Sequence, residues 1–104
     1  MISNMRAKPL LDTRVVYDED AFAELVVWHV PRPLAGSSHN YKYRLAYVVA
    51  GRCVVRFDNE AGKGDHRHES EAESPYRFST PERLVADFEN AIARWNHENR
   101  HTRS

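Results

Sequence analysis

Between Tyr41 and Val49 the chain alternates without a break: Tyr41, Tyr43, Leu45, Tyr47 and Val49 fall on one side, Lys42, Arg44, Ala46 and Val48 on the other. A strand, with its period of two, sorts residues in this way. The natural cover for that tyrosine face lies further along the same chain. Ser79-Thr80-Pro81-Glu82 supplies a capping residue, an early-turn proline and a glutamate three positions after Ser79. Leu84, Val85, Phe88, Ile92 and Trp95 then recur at helical spacing. One amphipathic helix laid on a sheet follows from these two segments.

Further strands flank the first. Leu10 to Tyr17 and Ala23 to Val30 are rich in Val, Leu and aromatics around a polar break at Asp18-Glu19-Asp20, and are expected to pair as a hairpin. Pro31 to Asn40 carries prolines, glycine and serines and reads as a loop of about ten residues, long enough to be functional. Ala50-Gly51 turns the chain into a fourth strand, Arg52 to Asp58. A one-residue change in that turn decides whether Arg52 and Arg56 share the tyrosine face. Asn59 to Ser74 is polar and glycine-bearing and reads as a loop, within which the piece from His66 to His68 can be extended. Tyr76 to Phe78 is a candidate short strand, and the apolar period is lost from Asn96 onward. The expected fold is α+β, an antiparallel meander of about four strands with one C-terminal helix packed on it. Residues 1–104 form a single domain with flexible ends at 1–8 and 97–104.

A chain of 104 residues buries roughly two thirds of the surface its unfolded form exposes, so a core is possible without staples. Cys53 is the single cysteine, and with Arg52, Val54 and Val55 beside it reads as a strand thiol rather than a metal knuckle. The opening residues lack a signal-peptide run, and Leu25 to Trp28 and Ala46 to Ala50 are too short to span a bilayer. A cytoplasmic chain with no membrane partner is expected. Fifteen Lys and Arg balance fifteen Asp and Glu, so no global field draws the chain onto nucleic acid. Positive charge is local instead, with Lys42, Arg44, Arg52, Arg56, Lys63 and Arg67 set against Asp58, Glu60 and Asp65.

The chemistry concentrates in Gly62-Lys63-Gly64-Asp65-His66-Arg67-His68. Histidine exchanges protons near neutral pH, and Lys and Arg offer fixed positive charge to an anionic transition state. If His66 to His68 is extended, both imidazoles point the same way about 6.6 Å apart and can flank one phosphate. Cleavage of RNA by its own 2′-hydroxyl needs that set: His66 and His68 as acid and base, Arg67 or Lys63 as clamp, Asp65 to orient an imidazole. The same stretch can equally be a solvated glycine loop. It is not a P-loop, since GxxxxGK[ST] is missing. A His-x-His pair also makes a two-ligand metal arm, with His39, Asp58, Asp65 or Glu69 as the third ligand, but the spacing selects none of them and no metal or other cofactor is assigned. Lys42, Arg44, Arg56 and Tyr43 are candidate substrate contacts, the tyrosines serving as a stacking platform for bases or, as the stronger expectation, as core partners of the helix. Trp28 and Trp95 are expected in the core, His29 partly buried, and His97, Arg100, His101 and Arg103 at a solvated end.

Lys42-Tyr43-Arg44-Leu45-Ala46-Tyr47-Val48-Val49, then Phe57-Asp58-Asn59-Glu60, Lys63-Gly64-Asp65-His66-Arg67-His68 and Pro75-Tyr76-Arg77-Phe78, resemble the TumE family of toxins from prokaryotic toxin-antitoxin modules. The likeness is sharpest in the KGDHRH hexamer and in the segment before it, where Phe57 stands in place of a tyrosine. It extends more loosely through Val26-Val27-Trp28-His29-Val30-Pro31 to the final helix. The resemblance implies a small cytoplasmic toxin encoded beside a helix-turn-helix antitoxin that neutralises it. It brings no catalytic roles, which rest on the residues themselves. The expected function is a growth-inhibiting toxin acting on RNA as a metal-independent endoribonuclease. The rivals are a non-catalytic module that binds nucleic acid or protein, and a metal-dependent hydrolase.

Overall fold

Polar turns cut the first three quarters of the chain into hairpins, and the computed structural model, which describes residues 6–99, arranges them as one antiparallel sheet. The strands are β1 (Lys8–Asp18), β2 (Ala21–His29), β3 (Tyr41–Val49), β4 (Arg52–Glu60), β5 (Gly64–Glu69) and β6 (Ala72–Pro75), and the helix is α1 (Pro81–Asn99). The sheet order is β1-β2-β3-β4-β5-β6, a pure meander. The α+β class with one C-terminal helix is therefore as expected, while the strand count rises from about four to six.

The difference lies in 59–74. Polarity made this stretch read as loop, yet it forms the end of β4 and the hairpin β5-β6. A strand near a sheet edge with one face open to water needs few apolar residues, so composition hides it. Conversely, Tyr76 to Phe78 is not a strand. After Pro75 the chain leaves the sheet edge and crosses toward α1, keeping one backbone bond from Tyr76 N–H to the Asp65 carbonyl at 3.0 Å. Strand β1 opens at Lys8 and α1 continues to Asn99, so 8 and 97–99 belong to regular elements. The expectations for residues 1–5 and 100–104, including Arg100, His101 and Arg103, lie outside the described residues.

Thr80 caps α1. Its Oγ1 accepts from Arg83 N–H at 3.1 Å, Pro81 takes the first helical position, and Ser79 lies one residue outside. Leu84, Phe88, Ala91 and Ile92 are buried against Leu25, Val27, Tyr43, Leu45, Tyr47, Val55 and Phe57. Each large side chain so buried contributes roughly 1.5–3 kcal/mol. The tyrosines are thus core partners of the helix. Trp95 packs on that core, with its ring edge-on to Tyr47 at 6.1 Å. Trp28 does not: it pairs with Lys42 on the opposite face, half-buried. His29 shares the inward parity of Leu25 and Val27 but sits at the strand end and is exposed.

The face of Arg56 is set by a bulge. Tyr47 pairs with Val55 and Val48 with Cys53, leaving Val54 as the extra residue. Parity flips there, so Arg52 shares the face of Val49 while Arg56 lies with Ala46, away from the tyrosines. No helix among the described residues is long and apolar enough to cross a membrane.

Candidate active site on the open face of the sheet

Strand periodicity divides the KGDHRH hexamer between two faces. His66 pairs with Asp58 and His68 with Arg56, both on the face that α1 leaves open. Asp65 and Arg67 pair with Asn59 and Phe57, on the face that carries the core.

On the core side, Asp65 is the centre of a closed network, with its side chain only 10% exposed. Ser37 Oγ donates to Oδ1 at 2.7 Å, and the Tyr43 hydroxyl donates to Oδ2 at 2.6 Å. His39 Nε2 meets Oδ2 at 2.7 Å while its Nδ1 accepts from Tyr41 N–H at 3.2 Å, which fixes the proton of the neutral ring on Nε2. The imidazole stacks on Phe78, centroids 3.9 Å apart. Asn59, 1% exposed, extends the β3-β4 ladder with its side chain. Its Oδ1 accepts from Tyr43 N–H at 2.9 Å, and its Nδ2 donates to the Tyr41 carbonyl at 2.8 Å and to Ser37 Oγ at 3.3 Å. Burial, then the hydrogen bond to Asp65, pushes ionisation of Tyr43 far above the ordinary tyrosine range. Glycines complete the joint: Gly64, at φ +77, would bring a Cβ to 2.8 Å from the Gly36 carbonyl oxygen. The loop from Pro31 to Asn40 is thereby locked to β5.

Arg67 is held on this side too. Its guanidinium lies 5.1 Å from the Phe57 ring centroid and is hydrogen-bonded to Glu69, which Arg94 of the helix also contacts at 3.1 Å. Burial raises the Glu69 carboxyl, but the hydrogen bonds from Arg67 and Arg94 outweigh it and the net shift is downward.

On the open side, Arg56, Asp58, Glu60, Lys63, Gly64, His66, His68 and Glu73 line a pocket of about 130 Å³. His66 Nε2 lies 2.6 Å from the Lys63 carbonyl, which can only accept, so Nε2 carries a proton and the neutral ring keeps its lone pair on Nδ1. Arg56 Nη2 stands 2.9 Å from His68 Nε2 and can only donate, so there His68 is the acceptor. Glu73 Oε2 lies 3.4 Å from both His66 Nδ1 and His68 Nε2. His66 Nδ1 and Arg56 Nε are buried without a hydrogen-bond partner, although Arg56 Nε is within 3.3 Å of Asp58 Oδ2. Lys63 reaches Glu60 at 3.4 Å. Two imidazoles, two cations and three carboxylates therefore meet in one opening, with the lone pair of His66 Nδ1 unused and that of His68 Nε2 held by Arg56.

Of the residues singled out from sequence, the pocket gathers His66, His68, Lys63 and Arg56. Lys42 and Arg44 lie exposed on the same face, Arg44 in one cross-strand row with Asp58 and His66. Asp65, Arg67 and Tyr43 are placed on the other face, because β5 and β3 alternate. Asp65 thus orients His39 rather than His66 or His68, and Tyr43 is core rather than platform. Sequence reasoning missed Glu73, Ser37 and Asn59. A polar residue at the inward parity set by Val55 and Phe57 was the available signal for Asn59. Among the described residues no group of three or more His, Cys, Asp or Glu is arranged to hold a metal ion.

The chain matches a family model described as Toxin TumE over residues 6–96, most of its length. No curated protein and no solved structure matches it.

Proposed function

This chain belongs to the TumE family, the toxins of toxin-antitoxin systems, and we propose that it arrests growth by cutting RNA in the pocket between His66 and His68. The observation that supports this is the pair of imidazole nitrogens bracketing one anionic oxygen, with the Arg56 guanidinium beside them. His66 Nδ1 takes the proton of a ribose 2′-hydroxyl, whose oxygen attacks phosphorus. Once Arg56 turns from the ring onto the phosphate, His68 Nε2 is free to take a proton from water, and the imidazolium so formed gives that proton to the departing 5′-oxygen. The products are a 2′,3′-cyclic phosphate and a 5′-hydroxyl, with His66 protonated and His68 neutral until water restores them. Lys63 and Arg56 balance the charge of the pentavalent intermediate. Lys42 and Arg44 guide the flanking strand, and Trp28, beside Lys42, offers a stacking surface that the tyrosines do not. The partner is an antitoxin of helix-turn-helix type, and the site of action is cytoplasmic RNA.

Purified toxin incubated with RNA in excess EDTA tests the reading. Cleavage with a cyclic-phosphate end, absent from a substrate carrying one deoxyribose at the cut, is expected. Cutting of that deoxy substrate, or loss of activity in EDTA with rescue by zinc or manganese, would mean metal-assisted attack by water instead.

A further inference from the structure

The pocket contains three carboxylates that this mechanism does not use, Asp58, Glu60 and Glu73, and of these Glu73 is the one set against both imidazoles. Glu73 sits on β6, a four-residue edge strand paired only with β5, and its side chain is 53% exposed. Its Oε2 nevertheless reaches in to stand 3.4 Å from each catalytic imidazole. To a protonated imidazole, which carries a donor on that nitrogen, a carboxylate oxygen and a phosphate oxygen present the same compact anionic acceptor.

Glu73 fills that role incompletely. A good charge-assisted bond from nitrogen to oxygen is roughly 2.7–2.9 Å long, and both contacts here are longer. His66 Nδ1 and Arg56 Nε remain buried without a hydrogen bond, though both belong to the pocket. A planar carboxylate on a tether offers one oxygen to the two rings. A tetrahedral phosphate has further oxygens for Arg56 and Lys63, and the long, exposed Lys63–Glu60 pair holds Lys63 only weakly. Glu73 lies on an edge strand and is half exposed, so its side chain can swing out to water.

We propose that the position held by Glu73 Oε2 is a phosphate subsite, occupied in the free toxin by the Glu73 carboxylate, and that a substrate phosphate enters by displacing it. This rests on the reading of the pocket given above. The free toxin is consequently self-plugged, and removing the Glu73 charge strengthens phosphate binding at the histidine pair.

Titration of the full chain with inorganic phosphate, followed through the imidazole carbon-bound proton resonances of His66 and His68, tests this. Glu73→Gln should bind phosphate about tenfold more tightly than the parent, since the anion then has no carboxylate to displace and meets one negative charge fewer at the opening. Glu71→Gln, which makes the same charge change on an exposed neighbour outside the pocket, should leave the affinity unchanged. Glu73→Asp, which withdraws the charge by one methylene, should fall between and serves if the glutamine variant does not fold. Equal affinities in all four proteins, equal gains in Glu71→Gln and Glu73→Gln, or phosphate that shifts neither imidazole would overturn the proposal. The nuclease reading is judged separately by RNA cleavage. Phosphate competing with Glu73 in a protein that cuts no RNA would sink the nuclease and keep the subsite, and the converse holds as well.

Discussion

Each face of β5 brings histidine against a carboxylate, yet the two clusters are built to opposite ends. On the core side, Asp65 accepts from Ser37, His39 and Tyr43, and His39 uses its second nitrogen on the Tyr41 amide. On the open side, Glu73 makes two long contacts and two buried nitrogens lack partners. A satisfied network in low dielectric is rigid and costly to disturb, whereas unsatisfied polar atoms at an opening have capacity left for a ligand. The same residue types therefore serve as architecture on one face and, under the function proposed above, as chemistry on the other, and the lesson is to count used valences before assigning roles.

The sharpest way to break this contrast is to remove the histidines. His66→Ala and His68→Ala should each lower RNA cleavage by about 10²–10⁴-fold, the usual worth of a positioned acid or base, and abolish growth arrest. Their unfolding free energies should fall by only about 1 kcal/mol, the net worth of the one hydrogen bond each partly buried ring makes. Denaturant unfolding beside an activity assay decides: loss of folded protein in both variants would turn the pocket into architecture.

The opposite pattern is expected of Asp65→Ala. It strands three donors in a buried site and unlocks the loop from Pro31 to Asn40, so stability should drop by about 3 kcal/mol or more. His39→Ala should follow it in direction and be smaller. An Asp65→Ala protein that melts like its parent but no longer cuts RNA would place Asp65 with the chemistry instead.

How far the sequence led follows the same divide. The alternation in β3 and the spacing of Leu84, Phe88 and Ile92 foretold the helix-covered face, because burial leaves a pattern that composition cannot fake. The His66 and His68 pairing was legible from a separation of two. What failed to show was β5-β6 as strands, since a polar edge hairpin looks like a loop, and with them the parity that sends Asp65 and Arg67 away from the pocket. Glu73 was invisible for the same reason: its place opposite His68 exists only once β6 pairs with β5. The side of Arg56 depended on the bulge at Val54, a single extra residue that no periodicity announces.

Arginines sharpen the comparison at a smaller scale. Arg56→Ala should slow cleavage by roughly 10–100-fold with a modest change in stability, because its guanidinium lies in the pocket beside His68. Arg67→Ala should instead cost about 1–2 kcal/mol of stability, through lost contact with Phe57 and Glu69. It should leave cleavage within a fewfold of the parent. Paired measurements on both variants read this directly, and an Arg67→Ala protein that is stable but inactive would return Arg67 to the role of clamp.

The smallest effect is the one that tests the hub by pH alone. Folding raises the pKa of Tyr43 through burial first and its bond to Asp65 second, and that of Tyr76 through burial first and its bond to Asp87 second. A phenol shifted upward by folding contributes stability that is whole below its unfolded pKa of 10.0 and is lost as pH rises beyond it. Above that point the unfolded chain releases the proton while the folded chain still holds it. Wild-type unfolding free energy should therefore fall steeply between about pH 10 and 11, each such tyrosine adding up to about 1.4 kcal/mol per pH unit to the slope. Tyr43→Phe should cost about 1 kcal/mol at neutral pH, the net worth of one hydrogen bond. It should also flatten that alkaline decline by close to one tyrosine's share, while His66→Ala leaves the decline as steep as before. If Tyr43→Phe declines as fast as its parent, the hydroxyl is not held against Asp65 in solution, and the core-side network is looser than the contrast between the two faces requires.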